Sequence, residues 1–161
     1  MKKLLVIPFA LLCFMLQAQV VRKSNPQVLP AFDITQANGQ HYTLSDLPAG
    51  KPVMIVYFDP DCDHCETFIG QLLKQFNSFS NTQIVLITYV TVPYLKAFVQ
   101  KHDLGKYPGL ITGTEGNSFI VRYHYDVIQF PYVALHDKKG NLIARYESEV
   151  PPPEDLAKML K

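Results

Sequence analysis

The chain has 161 residues, 48% of them apolar, and a formal charge of +1. That apolar share excludes a disordered chain, and the near-neutral balance excludes nucleic acid or a strongly anionic surface as the main partner. Met1-Lys2-Lys3 precede an apolar run from Leu4 to Leu16, which gives way to Gln17-Ala18-Gln19. A basic start, a short apolar run and a small residue before a polar one predict a secretory signal over residues 1–18. A membrane span needs about 20 apolar residues, so the expected product is cleaved, soluble and periplasmic or otherwise exported. An uncleaved segment would instead anchor it to a membrane. Loss of Lys2 and Lys3 takes the formal charge from +1 to −1.

Residues 19–31 carry Pro26 and Pro30 among Ser and Asn, and read as an extended lead-in to a domain over 32–161. Phe32-Asp33-Ile34-Thr35 and Gln40-His41-Tyr42-Thr43-Leu44 flank Asn38-Gly39, the pattern of a β-hairpin. Val53 to Phe58 is a continuous apolar run rich in β-branched residues, as in a strand buried on both faces. From Cys65 onward Phe68, Ile69, Leu72, Leu73, Phe76 and Phe79 recur at helical spacing. They predict one long amphipathic helix that starts at Asp61 to Asp63, where acids suit the free amides. Ile84 to Tyr89 is a second buried strand, followed by a helix capped by Thr91 with Pro93 in its first turn. Leu110 to Thr112 is a short strand, and Phe119 to Tyr125 fits helix and strand equally. Tyr132 to His136 and Leu142 to Tyr146 pair around Lys138-Lys139-Gly140-Asn141, and Pro153 to Lys161 is a last helix. The expected fold is an α/β sandwich with a mixed central β-sheet flanked by helices.

Of three cysteines, Cys13 lies inside the signal's apolar run. It reads as a small hydrophobe lost with the signal, since a lipid-acceptor cysteine wants a small residue before it and Leu12 stands there. Cys62 and Cys65 remain, in Cys62-Asp63-His64-Cys65. Zinc uses such pairs, but wants four ligands, and neither a second pair nor clustered histidines are present; no metal is assigned. The motif falls where a buried strand passes into a helix. Free amides and the helix dipole there stabilise a thiolate at Cys62, the form that attacks disulfides. Cys65, one turn on, is near enough to resolve a mixed disulfide.

These residues resemble the thioredoxin superfamily, specifically its exported TlpA-like thiol–disulfide oxidoreductases. The carriers are Val53 to Phe58, then Asp59-Pro60-Asp61-Cys62-Asp63-His64-Cys65, and far downstream Tyr125-Asp126-Val127-Ile128-Gln129-Phe130-Pro131 before a strand. The resemblance implies a thioredoxin-like fold, Cys62 as nucleophile and Cys65 as resolving thiol. It implies a redox-active disulfide between them with no other cofactor. It implies a cis Pro131 that shapes a substrate groove, with the Phe130 backbone pairing to an extended client segment. Its partners would be exported proteins with thiols or disulfides and an upstream thiol electron donor, and a monomer is expected. Asp61 replaces an aromatic residue common before the first cysteine, and Val56 stands where thioredoxin buries an Asp. No carboxylate follows in Val90-Thr91-Val92-Pro93, which leaves Cys65 without an evident base; His64 is the nearest.

His64, Asp61 and Asp63 are expected to tune the redox site. Asp59, Asp61, Asp63 and Glu66 read as a solvated acidic rim, or alternatively as a cation site. A thiol peroxidase on the same fold is one rival function, although it would place a Thr where Asp59 stands. A copper metallochaperone is another, with His124 and His136 as distal ligands.

Overall fold

A computed structural model describes residues 26–161. The predicted signal, Cys13 and the start of the lead-in lie outside the described residues. The chain forms β1 (Asp33–Gln36), β2 (His41–Thr43), β3 (Val53–Tyr57), α1 (Asp63–Lys74), β4 (Gln83–Thr88) and α2 (Val92–Lys101). It continues with β5 (Leu110–Thr114), α3 (Ile120–Tyr125), β6 (Tyr132–His136), β7 (Leu142–Glu147) and α4 (Pro153–Met159). The described strands make one sheet in the order β2-β1-β5-β4-β3-β6-β7. β3, β4 and β5 run parallel, while β6, β7, β1 and β2 pair antiparallel. The mixed α/β sheet with flanking helices is therefore the expected one.

Strand alternation divides the core in two. Met54, Val56 and Phe58 face Cys65, Phe68, Ile69 and Leu72 of α1, together with Leu156 of α4. Val53, Ile55 and Tyr57 face the other way, against Val121 and Tyr125 around α3 and Phe32 and Ile34 of the hairpin segment. Every residue of β3, β4 and β6 is buried, as a strand with both faces covered requires.

Four local readings change. The helix predicted to reach Phe79 ends at Lys74; Gln75 leaves helical geometry at φ −110° and ψ 17°, and Phe76–Phe79 form a 3₁₀ turn. A turn with i→i+3 bonds keeps Phe79 pointing into the core, so the apolar spacing runs on past the helix end. The ambiguous segment is helical from Ile120. The Glu115 carboxylate accepts the N–H groups of Val121 at 2.7 Å and Arg122 at 3.3 Å, satisfying first-turn donors. Thr91 occupies the N-cap of α2, but its side chain makes no capping bond. The lead-in is also tied down: Val28 bridges Asn141, and Leu142 donates its N–H to the Gln27 carbonyl at 2.9 Å.

Candidate active site

The chain leaves the carboxyl end of β3, an interior strand, where Phe58 N–H still bonds the Ile87 carbonyl at 2.9 Å. Asp59 then turns it: its carbonyl accepts Cys62 N–H at 3.1 Å and its Oδ1 accepts Asp61 N–H at 2.9 Å. Cys62 is the N-cap of α1 in extended geometry (φ −93°, ψ 112°), and its sulfur accepts the Cys65 backbone N–H at 3.3 Å. The sequence placed acids at this start. The cap is Cys62 itself, with Asp63 and Glu66 following in the first turn.

Both cysteines are free thiols, and they differ in access. Cys62 is half-buried, whereas Cys65 is 1% exposed. Burial pushes the Cys65 thiol well above its ordinary value, its hydrogen bond with Cys62 adds to this, and the Asp59 backbone N–H on its sulfur opposes it. Phe130 and Pro131 meet this pair from a distant part of the chain. The Phe130–Pro131 bond is cis, and the Phe130 carbonyl lies 4.0 Å from the Cys62 sulfur. Phe130, Pro131, Cys62 and Cys65, separate in the sequence, thus converge on one spot.

The residues expected to tune the site lie outside it. Asp61, Asp63 and His64 are exposed. Asp63 and His64 line an open groove of about 450 Å³ with Thr67, Phe68, Pro131 and Val150. The acidic rim is largely partnered. Asp59 accepts the Tyr89 hydroxyl, Asp61 accepts the Tyr94 hydroxyl, and Glu66 pairs with Lys101 at 2.8 Å. The bond to Asp59, with burial second, pushes the Tyr89 phenol up to about 12. Among the described residues no three His, Cys, Asp or Glu side chains group as a metal set. His124 and His136 are also engaged. His124 Nε2 contacts the Val28 carbonyl at 2.8 Å, and His136 lies fully buried between Tyr125 Oη at 2.7 Å and the Gly140 carbonyl at 3.0 Å.

Beside the cysteines stands an assembly that the sequence did not reveal. The rings of Phe130, Tyr57 and Tyr89 form a mutual cluster, with Phe130 6.0 Å from Tyr57 and 6.1 Å from Tyr89 and the two tyrosines 6.5 Å apart. The Arg122 guanidinium lies 5.7 Å from the Phe130 ring centre, 5.8 Å from that of Tyr89 and 5.9 Å from that of Phe119. Beneath it the buried Glu115 accepts the Tyr57 hydroxyl at 2.6 Å. Glu115 directly follows β5, a strand that reads from sequence as ending at Thr112, so nothing local marked this carboxylate as interior. Its partners fix the Phe130 platform and α3.

Comparisons with known proteins bear on the family and the fold. The AhpC/TSA family matches residues 26–158. No curated protein sequence matches the chain. A thioredoxin domain of a Bacteroides vulgatus thiol-disulfide oxidoreductase superposes with a TM-score of 0.69 at 20% identity, covering 86% of this chain and 99% of that one. A secreted Mycobacterium tuberculosis disulfide oxidoreductase gives 0.66 at 17% identity, covering 81% and 94%. A Chromobacterium violaceum thiol peroxidase gives 0.68 at 16% identity, covering 86% and 85%. These likenesses place the fold, which is thioredoxin-like, and the extent of the family match places the sequence. The chain belongs to the AhpC/TSA family of redoxins, within the thioredoxin superfamily.

Proposed function

We propose that the protein is a thiol–disulfide oxidoreductase that exchanges disulfides with exported proteins. The observation that carries this reading is the asymmetry of the cysteine pair: an accessible Cys62 faces the Phe130 carbonyl, and a buried Cys65 stands one turn behind it. Cys62 attacks a client disulfide, and the client is held on Cys62 as a mixed disulfide. Cys65 then displaces the client and closes the Cys62–Cys65 disulfide, which an upstream thiol donor reopens. The Phe130 backbone and the groove beside Pro131 would seat an extended client strand.

The address belongs to the same proposal. The segment 1–18 directs export, and the mature protein works in an oxidising compartment. No described helix is long and apolar enough to cross a membrane.

Turnover of a disulfide-bonded model protein with dithiothreitol as reductant is the test. Catalysed reduction that is lost in Cys62→Ser supports the reading. Peroxide consumption without disulfide exchange would overturn it in favour of a thiol peroxidase, and copper retained stoichiometrically after dialysis would favour a metallochaperone.

A further inference from the structure

The face of the site that meets a client is backbone, carried on a loop with no regular structure of its own. Residues 126–131 join α3 to β6, and Phe130 stands in them just before the cis bond to Pro131. An unpaired donor and acceptor on such a loop make a place where another chain can pair. Most of this loop's donors are already taken. Asp126 and Val127 donate their N–H groups to the Arg122 carbonyl, the second at 3.0 Å. Ile128 and Gln129 both donate theirs to Oε1 of Glu147, each at 2.6 Å. Pro131 has no N–H, and its carbonyl accepts the Ser148 N–H at 2.9 Å. Among the described residues Phe130 N–H has no acceptor, and the Phe130 carbonyl meets only the Cys62 sulfur, at 4.0 Å.

The groups that hold this loop come from the end of β7. Glu147 closes that strand opposite Tyr132, so its side chain reaches the loop from the sheet. The chain then turns sharply. Ser148 has φ 64°, in the left-handed region, and Glu149 N–H bonds the Glu147 carbonyl at 2.7 Å. With that turn the Ser148 N–H lies on Pro131, while the Glu147 carboxylate holds the two residues before Phe130. Phe130 is thus fixed on both flanks, and its ring is packed against Tyr57 and Tyr89. Bonds from N–H groups to a carboxylate are charge-assisted and stronger than neutral ones, so Glu147 is the firmer of the two holds.

We propose that Glu147 is a positioning residue for client binding, a reading that rests on the thiol–disulfide function and deepens it. By occupying the N–H groups of Ile128 and Gln129, Glu147 leaves Phe130 as the one residue of the loop with a free N–H. Only Phe130 can then exchange a pair of hydrogen bonds with an extended client, as opposed residues of two antiparallel strands do. The client docks through the single residue opposite Phe130, which sets its disulfide at the Cys62 sulfur beside the Phe130 carbonyl. A small disulfide with no backbone makes no use of this hold.

Turnover of two disulfides with dithiothreitol as reductant, the uncatalysed rate subtracted, tests the assignment. One is an extended peptide with a single internal disulfide, and the other is hydroxyethyl disulfide. Glu147→Ala should lower kcat/KM for the peptide about tenfold more than for hydroxyethyl disulfide, with the loss in KM and not in kcat. Glu147→Gln, which keeps an acceptor oxygen at the same reach, should restore most of the peptide activity. N-methylation scanned along the peptide should weaken its turnover by the wild-type protein at one backbone position, and that selectivity should flatten in Glu147→Ala. If Glu147→Ala fails to fold by circular dichroism, Glu147→Asp, one methylene shorter, replaces it with the same expected split. Equal loss on both disulfides, a loss in kcat alone, or wild-type sensitivity to N-methylation at several positions overturns the assignment. If the wild-type protein turns over neither disulfide, the thiol–disulfide reading falls first and takes this proposal with it.

Discussion

The Cys62 sulfur accepts the backbone N–H of Cys65 at 3.3 Å, so the first cysteine caps the helix that carries the second. One sulfur faces outward and the other is enclosed by Val56, Phe58 and Phe68. A bulky client disulfide can meet only the first.

That asymmetry predicts unequal trapping. Cys65→Ser should accumulate mixed disulfides with client proteins, because attack proceeds and resolution cannot. Cys62→Ser should accumulate almost none, since the remaining thiol is buried and burial holds it protonated. Non-reducing gels of the two variants after exposure to exported proteins check this. Equal adducts from both would reverse the assignment.

Redox poise follows from the rim. The helix start and a protonated His64 favour a Cys62 thiolate, while Asp59, Asp61, Asp63 and Glu66 oppose it. The opposition is blunted: Glu66 is neutralised by Lys101, and the hydroxyls of Tyr89 and Tyr94 lie on Asp59 and Asp61. The expected potential is intermediate, between about −160 and −260 mV. Asp61→Asn with Asp63→Asn should make the disulfide more oxidising, by something of the order of tens of millivolts, and His64→Ala should make it less so. Equilibration against glutathione buffers reads all three. A wild-type value near about −120 mV, or no response to the paired Asn changes, would show that the rim does not set the poise.

The legible parts of the molecule were the local ones. Val53 to Phe58 declared a buried strand because strand burial on both faces leaves no polar position, and Cys62 fell at the strand-to-helix handover because both flanks carried clear periodicities. Pro131 was expected on the strength of the resemblance; the Phe130–Pro131 bond is cis, and the Phe130 carbonyl lies 4.0 Å from the Cys62 sulfur. What stayed hidden depends on tertiary closure. Glu115 looks like any loop acid until Tyr57, 58 residues away, places a hydroxyl on it. Asp59 read as one member of an acidic rim, because Tyr89, 30 residues away, cannot be placed beside it from spacing alone. The helix past Lys74 was overextended for a similar reason: a 3₁₀ turn and an α-helix present Phe76 and Phe79 to the core at nearly the same spacing.

Gly113 offers a test of sheet packing. It lies in β5, paired with Gln36 of β1 and Ile87 of β4. A Cβ built there would stand 2.7 Å from Ile34 Cδ1 and 2.9 Å from Ile34 Cβ. The second contact matters more, because a Cβ cannot rotate away without its backbone. Gly113→Ala should therefore destabilise the fold by about 1–3 kcal/mol, with β1 pushed off β5. Urea unfolding measures it. An unchanged midpoint would mean that β1 yields freely.

The last prediction concerns acid. His136 is fully buried, with Tyr125 Oη on one ring nitrogen and the Gly140 carbonyl on the other. The carbonyl can only accept, so Nδ1 carries the proton and Nε2 accepts from the Tyr125 hydroxyl. Burial lowers the ring below its ordinary 6.5, and the like charge of His124 works the same way; the bond to Gly140 and the charge of Asp137 oppose it. A base with a depressed folded value binds fewer protons when folded than when unfolded. Unfolding then takes up a proton between the lowered folded value and 6.5, so the stability held above pH 6.5 is lost as the pH falls through that window. The loss from this one group is at most about 1.4 kcal/mol per pH unit. Denaturant melts of the wild-type protein from pH 7.5 to 5 should fall more steeply than those of His136→Gln, which keeps a donor and an acceptor but does not titrate. The histidines other than His124, whose charge acts on this ring, contribute equally to both curves, so the difference reports His136 and its coupling to His124. Parallel curves would mean that the ring is already reached by protons in the folded state.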